Sequence, residues 1–140
     1  MKKITIILII FFTTSCIDVN KLVEEIAQDK MMESEHIGFI GEKSEQYQKF
    51  LKLKSKASDE KLKGLTTHEN PLIRTYAYKS LIERELIKPS KAFNDALQDN
   101  ESFSKMSGDQ ILVSDICTEI YFEAVNFYPD SETDIKKWIV

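Results

Sequence analysis

Cysteine and histidine are scarce in this 140-residue chain, with two of each, and they stand in no CxxC, HExxH or clustered His spacing. A zinc site needs three or four convergent ligands, so the pattern assigns no metal. His36 and His68 each adjoin a glutamate, Glu35 and Glu69, and read as surface residues at loop edges. Met31 and Met32 near His36 read as fillers of core gaps rather than soft ligands. Glycine is also sparse, at four residues, none of them in a GxSxG, GxxxxGKS/T or GxGxxG arrangement. The commonest nucleophile elbow and phosphate cradles therefore have no support, and no cofactor is implied.

A positive surplus is missing as well, because 19 Lys and Arg face 23 Asp and Glu. A protein without a basic face cannot displace counterions from phosphate, which excludes nucleic acid as a partner. No apolar run is long enough to span a bilayer, for which about 20 residues are needed. The longest, Ile4 to Phe12, follows Lys2 and Lys3 and exits through Thr13, Thr14 and Ser15 into Cys16. A basic start, a short apolar core and a small-residue exit make a targeting segment over residues 1–15, separate from the fold. Its removal takes away two positive charges, moving the formal net charge from −4 to −6. Such a domain should not lie flat on an anionic membrane. In an exported chain Cys16 could pair with Cys117 as a disulfide, unless Cys16 is used otherwise.

Helical spacing dominates the rest. Leu22, Val23, Ile26 and Ala27 suggest a helix within residues 17–35, and Gly38 and Gly41 break the pattern. From Glu45 the period resumes, with Tyr47, Phe50, Leu51 and Lys54 on one face. Ser58 caps a short helix with Leu62 and Leu65, and Asn70 with Pro71 opens a long one through Ile73, Tyr76, Ala77, Ser80 and Leu81. A short helix starts at Ser90, and residues 99–110 read as a polar loop turning at Gly108. Val113, Ile116, Cys117, Ile120, Tyr121 and Ala124 step again by three and four. The β-prone "ILV" at 111–113 could instead begin a strand, but the six helical matches favour helix. Residues 129–140, with Trp138, would close the fold as a C-terminal cap.

Two resemblances follow. The "TTSC" exit resembles the lipobox of bacterial lipoprotein signal peptides, although Thr13 stands where that family most often has Leu. The resemblance implies lipid on Cys16, cleavage before it, and a protein of the bacterial cell envelope held to a membrane by acyl chains. The two long helices match at a constant offset of 40, from Ile73 and Val113 to Leu81 and Tyr121. With the shorter helix before it, the stretch 58–86 resembles a HEAT repeat, Arg74 occupying the Arg position of its second helix. That implies an all-α domain over residues 16–140: a capping segment to residue 57, two helical repeat units over 58–128, and the C-terminal cap.

Candidate functional residues are few. Arg74 and Tyr78 lie about a turn apart on a helix face other than that of Tyr76, and either anchor a protein or peptide partner or pack against the preceding short helix. Cys117 falls where the first repeat has Ala77, which suits a small packing residue. The sequence thus points to a lipid-anchored, non-catalytic binding domain. Two other readings stay open: a small hydrolase using Cys117 with His36 or His68, and a purely structural envelope component.

Overall fold

The computed structural model describes residues 18–127. The targeting segment, Cys16 and the expected cap at 129–140 lie outside the described residues. Helix α1, Val19–Ala27, starts where the Asp18 carboxylate accepts the Asn20 and Lys21 N–H groups, and it buries Leu22, Val23 and Ile26. The chain then becomes extended as β1, Met31–Ile37, in a stretch expected to be helical. Gly38 and Gly41, at φ 71° and 74°, turn it into the short β2, Glu42–Lys43. Four helices follow: α2, Glu45–Lys56, α3, Asp59–Leu65, α4, Pro71–Glu83, and α5, Pro89–Ala96. The Ser58 and Asn70 side chains accept from Lys61 and Leu72 N–H at the starts of α3 and α4, as their sequence positions suggest.

The remainder corrects the all-α expectation. Residues 99–110 are mostly not a loop, because β3 runs from Ser102 to Gly108 and turns directly into β4, Gln110–Asp115. Helix α6 begins only at Ile116 and runs to Phe127. The sheet has the order β2-β1-β3-β4, with parallel pairing between β1 and β3 and antiparallel pairing on either side. The fold is therefore mixed α/β, and the two-unit HEAT-like architecture is overturned. The offset of 40 fails at its first pair: Ile73 is fully buried on α4, whereas Val113 is 79% exposed on a strand. The β-prone "ILV" prevails because β3 supplies a pairing partner at every position of β4.

One core joins the layers, drawing Ile26, Phe50, Leu62, Tyr76, Phe93, Phe103 and Ile120 from seven elements. The rings of Phe50 and Tyr76 stack at 4.6 Å between centroids. Beside them Gln46, on the first turn of α2, is almost wholly buried, with both of its side-chain polar atoms hydrogen-bonded. Its Oε1 accepts from the Glu33 N–H at 2.7 Å and from the Tyr76 hydroxyl at 2.6 Å, while its Nε2 donates to the Met31 carbonyl. Replacing Gln46 by Leu strands three buried polar groups, at about 1–3 kcal/mol each. Gln46→Leu is expected to lower stability by roughly 3 kcal/mol or more in urea unfolding, and Tyr76→Phe by only about 1 kcal/mol.

Candidate functional site

Arg74 stands in the first turn of α4, and its side chain is only 11% exposed. Its Nε and Nη2 donate to the two oxygens of Asp99 at 2.6 and 3.0 Å, and Nη2 also reaches Glu101 at 3.0 Å. Nη1 donates to the His68 and Glu69 carbonyls at 2.7 and 2.8 Å. All five N–H donors of the guanidinium are thus committed to the turn before α4 and the connection after α5. Hydrogen bonds and ion pairs to Asp99 and Glu101 hold its pKa above the ordinary value against the opposing effect of burial. Tyr78 points elsewhere: it is buried in the floor of a groove between α3, α4 and α5, and burial pushes its phenol pKa up. Arg74 and Tyr78, about a turn apart on α4, thus serve different surroundings.

Cys117 is half-buried in the first turn of α6, beside Phe93, Tyr121 and Phe122 at a shallow cavity of about 280 Å³. Burial, and then the Asp115 and Asp99 carboxylates, push its thiol up to about 11. The nucleophile would be the thiolate, which such surroundings disfavour. Neither histidine is joined to it. His68 Nδ1 accepts from the Asn70 N–H at 3.0 Å, and His36 is exposed on β1. Among the described residues no three His, Cys, Asp or Glu side chains gather as metal ligands.

The two sides of the sheet differ more than any side-chain cluster does. On the β1 side, β2 pairs only with His36 and Ile37. The exposed length of that edge is nevertheless closed: Gln46 takes the Met31 carbonyl and the Glu33 N–H, the Ser44 N–H donates to the Glu35 carbonyl at 3.0 Å, and the Ser44 hydroxyl donates to the Glu33 carboxylate at 2.6 Å. On the opposite side β4 has, among the described residues, a neighbour on one flank only. Its central residues Ile111, Leu112 and Val113 are 61%, 49% and 79% exposed.

The register shows that this apolar exposure wraps around the strand. Ile111 and Val113 lie opposite Met106 and Ser104 on one face of the hairpin. Leu112 lies opposite Lys105 on the other. The Lys105 ammonium is bound by both oxygens of the buried Glu119 at 2.8 Å and sits 6.0 Å from the half-exposed Phe122 ring. Edge strands usually carry a lysine, a proline or a bulge that discourages pairing. None interrupts β4. The "ILV" triple was the sequence signal for this edge, hidden because Val113 also keeps step with α6.

The elevated thiol pKa predicts that Cys117 in the native protein resists iodoacetamide at pH 8 and reacts on unfolding in urea. Rapid alkylation without unfolding, read by mass spectrometry, is the opposite outcome and would restore the hydrolase reading. No family model, curated protein or solved structure matches the chain.

Proposed function

We propose that this chain is a lipid-anchored protein of the bacterial cell envelope, held by acyl chains on Cys16, whose domain binds an extended segment of another protein and performs no catalysis. The observation that carries the binding part is the edge of β4, unpaired among the described residues and apolar on both faces, whereas on the other side β1 is met by Ser44, Gln46 and the two-residue β2. An extended segment added beside β4 gains main-chain hydrogen bonds from the edge and covers Ile111 and Val113 on one face and Leu112 on the other. Asp109 and Asp115 bracket the apolar centre, so the segment that fits best is apolar in the middle and basic at its ends. Burying three side chains of this size is worth about 1.5–3 kcal/mol each at most, and ordering the incoming segment offsets part of it.

The anchor rests on the "TTSC" exit behind a short apolar core. Two or more acyl chains are needed for stable attachment, since each buried methylene contributes about 0.8 kcal/mol. Cys16 precedes the start of α1 at Val19 by three residues, a length of chain that reaches at most about 11 Å. The domain is thereby kept at the membrane surface, where a partner held in the same membrane meets it at high effective concentration.

Two outcomes test the two parts. Metabolic labelling with a fatty acid should mark the wild type and leave Cys16→Ala unlabelled; equal labelling of both would remove the anchor. A photo-crosslinking residue placed at Val113 in the full chain should give a discrete adduct in envelope membranes. The adduct should fall roughly tenfold when Ile111→Lys is added, with stability unchanged within about 0.5 kcal/mol because the site is exposed. No adduct, or one indifferent to Ile111→Lys, would sink the edge-binding reading.

A further inference from the structure

The groove floored by Tyr78 is built from helices rather than the sheet, and its chemistry is different. Its floor and one wall are Tyr78, Leu81, Leu86 and Ile87, and its volume is about 410 Å³. That is the lower end of the range of small-molecule sites, roughly 300–1,000 Å³. The wall is shaped by the end of α4. Glu85 occupies the left-handed region at φ 59°, while the Glu85 N–H donates to the Ile82 carbonyl at 2.8 Å and the Leu86 N–H to the Leu81 carbonyl at 2.9 Å. This is a Schellman ending, whose hydrophobic contact joins the residues at the positions of Leu81 and Leu86. A non-glycine residue held in that conformation is costly, and surrounding structure must over-determine it. Here the turn lays Leu86 and Ile87 along the groove and delivers Lys88 to its rim.

The rim is positively charged on a chain that is acidic overall. Lys63, Lys88 and Lys91 line it against a single carboxylate, Asp95. Asp95 is engaged by Lys91, whose ammonium donates to both oxygens at 2.9 and 2.7 Å. The ammonium groups of Lys63 and Lys88 have no ion-pair or hydrogen-bond partner among the described residues. An apolar trough with two uncommitted cations at its edge fits a ligand with an apolar body and an anionic head.

The floor discriminates between kinds of apolar body. Its helical residues satisfy their main-chain groups internally, and the connection at residues 86–88 is too short to pair along a strand, so an extended peptide laid there would bury most of its own N–H and C=O groups unpartnered. A helical peptide satisfies itself but is about 10–12 Å across, so that a single turn of it, roughly 420–610 Å³, already exceeds the groove's volume of about 410 Å³. An alkyl chain has no polar group to strand. We infer that the groove between α3, α4 and α5 binds a medium-chain fatty acid anion, its alkyl chain over Tyr78, Leu81, Leu86 and Ile87 and its carboxylate between Lys63 and Lys88. The site is independent of the β4 edge.

The test uses the full chain in membranes and a diazirine-bearing decanoic acid as probe. Photolabelling should concentrate on the tryptic peptides that carry Tyr78 and Leu86, and excess decanoate should compete it away. Decyltrimethylammonium at the same concentration should not compete. The double variant Lys63→Glu, Lys88→Glu should lose labelling at least tenfold while its circular dichroism is unchanged, since both side chains are exposed and unpaired. Labelling spread evenly over the surface, equal competition by the cationic amphiphile, or full retention in the double variant would overturn the proposal. Displacement by an acidic peptide but not by decanoate would overturn it too, and would assign the groove to a protein partner.

Discussion

The amide of Gln46 is the contact on which the sheet depends. A parallel pair such as β1 and β3 has no hairpin to set its register, and here α2 to α5 intervene between the two strands. Gln46 supplies the missing constraint from a helix. One side chain donates to the Met31 carbonyl and accepts from the Glu33 N–H, as a neighbouring strand would, which fixes the amide's orientation, and the Tyr76 hydroxyl donates to the same oxygen. Tyr76 in turn is held by its stack on Phe50. Sheet, α2 and α4 are thereby tied at one buried point. Because every polar atom there has a partner, the low dielectric of the core strengthens the network instead of penalising it.

A second set of contacts fixes α6. Glu119 and Glu123 are four residues apart on one face of that helix, and both are buried. Glu119 binds Lys105 of β3 and the Ser114 hydroxyl, while Glu123 binds Lys79 of α4 at 2.6 Å. Burying two carboxylates costs solvation that ion pairing does not always return. Their effect is to fix rotation: a turn of α6 about its axis would leave two charges unpaired in the interior. The Arg74 cluster does the same for the turn before α4 and the strand entering the sheet. Arg74 was conspicuous in the sequence as a surface anchor, and its five donors show why a charged residue on a helix can be structural.

Much of the helical half was legible because its signals are local. Ser58, Asn70 and Pro71 start their helices where expected, and Leu62, Leu65, Ile73, Tyr76 and Ala77 face the core. The sheet was not legible. The strands "MMESEHI" and "SFSKMSG" are mostly polar and lack clean alternation, since β1 is covered by Gln46 and Ser44 and β3 carries the Lys105 ion pair. Their strand character comes from each other, across most of the domain. Tyr78 is buried, as Tyr76 is, and the groove above it is not legible in the sequence, because Lys63, Lys88 and Lys91 are brought together only by the packing of α3, α4 and α5.

An apolar edge such as β4 invites pairing with a second copy of itself, and its flanking charges oppose that outcome. Antiparallel self-pairing that sets Leu112 against its own equivalent places Ile111 against Val113, which is favourable. The same register brings Asp109, in the turn before β4, towards Asp115, whose carboxylate caps α6 at Thr118, and like charges brought close across a strand pair are destabilising. A partner segment with basic ends keeps the apolar pairing and turns both clashes into attractions. The acids thus work as gatekeepers against aggregation without closing the edge, which separates β4 from an edge left open by neglect. The sheet is thus asymmetric among the described residues: β1 is met by β2, Gln46 and Ser44, whereas β4 has a free flank that the proposed partner strand would complete.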